Sequence, residues 1–242
     1  MRDVKIIKYQ KKYDYTYAYG TFPTIELLET RPSKVVKVLL HTQPSRTEEL
    51  EKVIQLCKKN RVLFEFNNRH IEKISPKENT KVIGIFEKYA SEIPLDAGNH
   101  IVLVNPSDMG NTGTIIRTMV GFGINQLALI RPAVDIFDPR VVRTSMGSIF
   151  KVKFEYFDDF GDYQKKFPAQ QLYPFMLGGR YDLTQVKFET PFGLVFGNEG
   201  EGLARSFNKI GKSVYIRHSK EIDSLNVSVA ASIALYQATK AI

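Results

Sequence analysis

Residues 100–131, HIVLVNPSDMGNTGTIIRTMVGFGINQLALIR, decide the fold class. HIVLVN and QLALIR are short apolar runs without alternation, as expected of strands buried on both faces of a sheet. Between them, a helix begun near Asn111 places Ile115, Ile116, Met119 and Val120 on one face. Strand, helix, strand is the unit of a parallel α/β sheet. Further along, YPFML (173–177), GLVF (193–196) and SVYIR (213–217) are again short β-rich runs bounded by Gly, Pro or Asn. The second half therefore reads as a second α/β unit.

Upstream the pattern repeats on a smaller scale. VVKVLLH (35–41), RVLFEF (61–66) and TKVIGIFEKY (80–89) read as strands, and TEELEKVIQLCKK (47–59) as a helix. Leu50, Val53, Ile54 and Cys57 share one face of that helix. Glu48, Glu49 and Glu51 lie at its positive end, Lys58 and Lys59 at its negative end. Cys57 belongs to that apolar face, so it is expected in the core rather than as a nucleophile. SEIPLDAGN (91–99) suits a linker or surface crossing. The expected division is a smaller α/β domain over 1–92 and a second domain over 98–242.

The 242 residues hold 34 Lys plus Arg against 26 Asp plus Glu, a formal charge of +8 that favours an anionic partner. Both parts are basic, with an excess of five charges in 1–97 and three in 98–242. One cysteine excludes a disulfide framework, and His41, His70, His100 and His218 lack metal-ligand spacing, so no metal is expected. No apolar run reaches the roughly 20 residues that span a bilayer, and the N-terminal stretch lacks a signal-peptide pattern. A cytoplasmic location without a membrane partner is the expectation.

Several common motifs are missing. Gly211-Lys212-Ser213 has no upstream glycine for a nucleotide-binding G-x-x-x-x-G-K-S/T loop. GFGINQ (121–126) ends in Gln126 where a dinucleotide fingerprint needs a small residue, and there is no G-x-S-x-G elbow. Three other stretches are dense in Gly, Asn, Arg and Ser just after apolar strands. In the first, Arg117 lies opposite the apolar stripe beside Thr114, Thr118 and Gly121; Asn111 is placed either to cap the helix or to face a ligand. In the second, GLVFGNEGEGL (193–203), closely spaced glycines let a ligand approach backbone N–H and C=O groups without meeting a Cβ. In the third, SVYIRHSKEIDSLNVSVAASIALYQ (213–237), Ser224 and Asn226 stand at the mouth of a helix whose Ala230, Ala231, Ala234 and Ala238 allow close packing.

Together these stretches resemble the three sequence motifs of the SpoU/TrmH-type RNA 2′-O-ribose methyltransferases, a branch of the SPOUT superfamily. The resemblance runs from about Ile101 to Tyr236. NPSDMGNTGTIIRT is similar to the first motif, RVVRTSMGSIF to the segment after it, LVFGNEGEGL to the second and IDSLNVSVAASIALYQ to the third. Residues 19–89, beginning YGTFPTIELL, resemble the ribosomal-protein-like RNA-binding domain that precedes the catalytic domain in many members.

The resemblance implies a C-terminal domain built on a mostly parallel α/β sheet with helices on both faces and a deep trefoil knot, S-adenosylmethionine as cofactor, a homodimer, and structured rRNA or tRNA as substrate. It implies cofactor contacts, largely through backbone, at Gly197, Ile216 and Leu225, with Gly178 of the LGGR turn as a fourth. Arg117 matches the position that activates the ribose hydroxyl. Asn111, Glu199, Ser224 and Asn226 match the remaining polar motif positions, which orient Arg117, the ribose or the knot loops. Arg143 and Ser145 match a segment expected in phosphate contact or dimer packing. The competing readings are a base-nitrogen methyltransferase of another SPOUT branch and a non-catalytic RNA-binding module. The Ser-Leu-Asn of the third motif (224–226) favours the ribose.

Overall fold

A computed structural model of the chain describes residues 4–42, 47–75 and 80–240. In chain order the first elements are β1 (Tyr15–Tyr19), α1 (Thr21–Thr30), β2 (Val35–Leu40), α2 (Glu48–Lys59), β3 (Phe64–Phe66), α3 (Asn68–Ile74) and β4 (Val82–Glu87). There follow β5 (His100–Val104), α4 (Met109–Gly121), β6 (Gln126–Ile130), α5 (Pro139–Thr144), β7 (Lys153–Phe157) and α6 (Phe160–Lys166). The last are β8 (Gln171–Pro174), β9 (Tyr181–Asp182), β10 (Phe192–Phe196), β11 (Val214–Tyr215) and α7 (Val227–Thr239). They pack into two compact units, Met1–Ala90 with Asp135–Lys151, and Ser91–Val134 with Val152–Ile242.

In the first unit a four-stranded sheet runs β1-β4-β2-β3, antiparallel except between β2 and β3. Its strands are apolar on both faces because each face carries its own core. Tyr15, Tyr17, Tyr19, Leu39, Ile83 and Ile85 pack with Ile71 and Ile74 of α3, while Val38, Leu40 and Val82 pack with α1 and α2. Thr47 caps α2 by accepting the N–H of Leu50, and Cys57 is fully buried, where loss of solvent pushes its thiol up to about 11.

The sequence reading places no strand or helix over β1 and α1, although the alternating tyrosines of YTYAY carry a strand signal. Residues 135–151, read as part of the second domain, pack with the first unit instead. Thr16 Oγ1 donates to the Phe137 carbonyl (2.7 Å), Lys88 pairs with Asp135 (2.7 Å), and a Cβ on Gly147 would lie 2.7 Å from Glu26 Cβ.

In the second unit all five strands of the main sheet are parallel, in the order β7-β6-β5-β10-β8. The order turns back between β5 and β10: the chain builds β5, β6, β7 outward to one side and places β8 and β10 on the other. Open parallel sheets take ligands at such a point, beyond the carboxyl ends of the two strands, because successive connections there leave to opposite sides and open a crevice. Helix α6 lies with the core of Val102, Ala128, Ile130 and Val195, and Ile93 joins it. The 91–99 stretch is thus anchored to this unit, with Ser91 Oγ accepting the Phe154 N–H at 3.1 Å. Helices α4 and α7 pack on each other, burying Ile115, Ile116 and Met119 with Ala231, Ala234, Leu235 and Ala238.

Candidate active site

Two loops leave the switch point. After β5, Asn105-Pro106-Ser107-Asp108 leads into α4, and Asp108 caps that helix by accepting the Asn111 N–H at 2.7 Å. Of the two readings of Asn111, helix cap or outward-facing amide, the cap falls to Asp108, three residues earlier, and the Asn111 amide is free for other work. After β10, residues 197–203 form a tight loop closed by Gly202 N–H to Asn198 O at 2.9 Å. Asn198 Oδ1 accepts the Gly200 N–H (2.7 Å), while its Nδ2 donates to Asn105 O (2.9 Å) and Ser107 Oγ (3.1 Å). The two loops are latched together.

Glu199 completes the latch. Its carboxylate accepts from the Ser107 hydroxyl (2.7 Å), from the backbone N–H groups of Ser107 and Asp108 (3.3 Å each) and from Asn111 Nδ2 (3.5 Å). Partial burial raises its pKa, but the Ser107 and Asp108 donors outweigh this and hold the carboxyl below its ordinary value. An ionised carboxylate only accepts, so Asn111 must turn its NH2 to Glu199 and its oxygen outward. That oxygen receives Asn226 Nδ2 at 3.0 Å. Asn226 Oδ1 in turn accepts the Ser228 and Val229 N–H groups and caps α7. One directional chain of hydrogen bonds joins all three sequence stretches, and Glu199 sets its polarity.

Beside this chain lies a cavity of about 670 Å³, walled by 175–178, 196–203, 216, 218 and 224–227, with Arg205, Asn208 and Ala230. Gly197, Ile216, Leu225 and Gly178 all line it, as do Glu199, Ser224 and Asn226. The two glycines differ in necessity. A Cβ on Gly197 would lie 2.2 Å from the Gly202 carbonyl carbon, whereas one on Gly178 would meet nothing within 4 Å. In the same turn it is Gly179 that has no room, since its Cβ would lie 2.5 Å from the Val214 backbone. The wall is thus made of closely crossing backbone.

Arg117 is placed otherwise. It is exposed on α4, makes no side-chain hydrogen bond or ion pair with another described residue, and does not line the cavity. Ser145 is fully buried and its hydroxyl is spent on the Val142 carbonyl (2.9 Å), so it is closed to phosphate. The sequence reading passed over Asn198, Ser107, Arg205, Asn208 and His218. Asn198 alone carried a signal, its place inside the glycine-rich loop.

The cavity fits a cofactor held through backbone. It is ligand-sized, its wall has no room for a side chain at Gly197, and Asn208 Oδ1 on that wall is buried without a hydrogen-bond partner among the described residues.

The sequence model of the family described as SpoU rRNA Methylase matches residues 98–236. An uncharacterized tRNA/rRNA methyltransferase of Synechocystis sp. is 31% identical over 143 residues, covering 58% of this chain and 52% of its own. A 23S rRNA (uridine(2479)-2′-O)-methyltransferase of Streptomyces viridochromogenes is 29% identical over 148 residues, with the same two coverages of 58% and 52%. The chain spans about half the length of these curated relatives. Among solved structures, an AdoMet-bound rRNA methyltransferase from Sinorhizobium meliloti has a TM-score of 0.80 at 26% identity, covering 95% of this chain and 88% of that one.

Proposed function

Because the chain belongs to the SpoU rRNA methylase family, we propose that it transfers a methyl group from S-adenosylmethionine to a ribose 2′-hydroxyl of structured ribosomal or transfer RNA. The observation that carries this reading is the backbone-walled cavity at the switch point, fixed to the first and third motifs through Glu199, Asn111 and Asn226. The 2′-O-methyltransferase named among its relatives and the AdoMet-bound neighbour support it.

S-adenosylmethionine supplies an electrophilic methyl group on its sulfonium sulfur. Gly197, Ile216 and Leu225 would hold it through main-chain groups, Gly178 would stand at the rim, and Asn208 would offer its free acceptor. Glu199 stays ionised near neutral pH and keeps Asn111 and Asn226 in one orientation, with Ser224 beside them, as a fixed polar floor for the ribose. Such preorganised groups act without reorganising during the reaction. Arg117 cannot serve as a free base, because a guanidinium keeps its proton. Its part is to hold the 2′-oxygen as negative charge develops, with a substrate phosphate assisting removal of the proton.

That part requires Arg117 to reach a cavity which, within its own chain, it does not line. A homodimer supplies the route. The alanine face of α7, whose small residues allow close packing, is largely spent inside the unit. The outward face carries Val229, Ile233 and Tyr236, all exposed, with Phe122 at the end of α4 packed edge-on to Tyr236 at 6.4 Å. Arg117 stands on the same α4 helix, one turn before this apolar patch. Two-fold pairing through the patch would carry Arg117 to the partner's cavity. The first unit, with the larger positive excess, would hold the RNA, and the segment after β11 would be threaded as a knot.

Calorimetry and transfer assays test the reading together. Arg117→Ala should bind S-adenosylmethionine as the wild type does, keep its melting temperature, and lose on the order of a hundredfold or more in methyl transfer. Wild-type turnover in Arg117→Ala, or no cofactor heat with the wild type, would overturn it.

A further inference from the structure

A second cavity, of about 320 Å³, lies wholly within the first unit, among Lys8, Tyr9, Tyr19, Asp138, Arg140 and Arg143. Resting on the RNA reading above, we propose that it receives one unstacked nucleotide of the substrate RNA, the phosphate at Lys8, Arg140 and Arg143 and the base against the two tyrosines.

Three cations surround one small space, and none uses its side chain in a hydrogen bond or ion pair with another described residue. Elsewhere in this unit Lys37, Lys52, Lys88 and Lys151 are each paired with a carboxylate. Unpaired cations around a cavity leave their donors to an anion, and guanidinium forks suit phosphate oxygens. The single acid among the described residues of the wall, Asp138, already accepts the Arg140 N–H at 2.8 Å as a helix cap. Burial and the neighbouring Asp135 raise its pKa, while the backbone N–H and charge of Arg140 and the Lys88 charge act against them.

The tyrosines are built as fixed walls. Tyr19 stacks on Tyr17 at 5.7 Å and anchors its hydroxyl on the Ile74 carbonyl at 2.8 Å. Tyr9 has Lys88 Nζ 4.9 Å from its ring centroid and is hydrogen-bonded to Asp135. Rings held in this way take a base at little entropic cost, and stacking tolerates any base because every base has a π-face. The volume lies at the small end of ligand cavities, near 300 Å³, which suits one nucleotide rather than a folded segment.

The test uses the full-length protein and a labelled single-stranded RNA, read by fluorescence anisotropy over a range of salt. Lys8 and Arg140 are both exposed, so Lys8→Ala/Arg140→Ala should fold normally and keep its S-adenosylmethionine heat. RNA affinity should fall about tenfold or more, and the log–log salt dependence should be shallower by about 1.4, as expected for two lost single-strand phosphate contacts. RNA carrying 4-thiouridine should photocrosslink to the peptide containing Tyr9. Unchanged affinity and salt slope in the double variant, or crosslinks confined to the second unit, would overturn the proposal while leaving a methylating wild type unaffected. Uridine monophosphate binding as tightly as the RNA would replace the polymer by a free nucleotide and also overturn it. A wild type that neither binds nor methylates RNA sinks both readings.

Discussion

Two glycines on one cavity wall should respond in opposite ways to the same substitution. In Gly197→Ala the new Cβ would stand 2.2 Å from the Gly202 carbonyl carbon, 2.4 Å from its oxygen and 2.5 Å from the Leu203 nitrogen. Real Cβ atoms do not approach closer than 3.0 Å, so the 198–202 loop must recede by roughly 0.8 Å. It cannot recede freely, since Leu203 is held in the core and Asn198 is tied to Asn105 and Ser107. A shift of that size breaks the alignment of main-chain groups that hold the cofactor. Losing two hydrogen bonds at about 1–1.5 kcal/mol each weakens binding about 30- to 150-fold. Gly178→Ala adds a methyl where nothing lies within 4 Å and should bind within about threefold of wild type. Isothermal titration with S-adenosylmethionine reads both, with circular dichroism confirming the fold. Equal affinities for the two variants, or greater loss in Gly178→Ala, would refute the backbone-cradle argument.

If Arg117 serves the partner's cavity, a 1:1 mixture of Arg117→Ala and Gly197→Ala subunits should regain about a quarter of wild-type turnover, because half the dimers keep one complete site; no recovery above the separate variants means that Arg117 acts within its own chain. Stability should also fall in mild acid through His100, which is fully buried against Tyr163 and whose pKa burial lowers to about 4. Its unfolded value is near 6.5, so this contribution is complete above that pH and fades as pH drops toward 4. The loss is roughly 2 kcal/mol between about pH 7 and pH 4.5. Urea titrations of the wild type and of His100→Gln should differ by that amount in their pH dependence, and identical profiles would remove His100 from the account.

Much of the second unit was legible in the sequence because its strands are buried on both faces. HIVLVN, QLALIR and GLVF carry unbroken apolar runs that no amphipathic helix would tolerate. The motif residues were legible too, since small and polar residues crowded after a strand mark places where backbone meets ligand or other backbone. What the residues hid was pairing across long separations. Asn111 and Asp108 are both good helix caps, and only Glu199, about ninety residues away, decides that Asn111 turns outward. Residues 135–151 lie between β6 and β7 in sequence, and nothing local says that they join the first unit, where Gly147 sits on Glu26. The alanines of α7 say only that something packs closely, and the structure shows that α4 does. In the first unit, the tyrosines of β1 alternate as a strand should, but the charged residues around them masked the signal.

Alkaline hydrolysis tests the central claim most directly, since base cleaves RNA wherever a 2′-hydroxyl is free and cannot cleave beside a methylated one. After incubation of the wild-type protein with RNA and methyl-labelled S-adenosylmethionine, digestion in alkali should leave the label in resistant dinucleotides, and Arg117→Ala should leave almost none. Label released in mononucleotides would place the methyl group on a base, and an RNA-binding, cofactor-binding protein that transfers no label would be a binding module; either result contradicts ribose methylation.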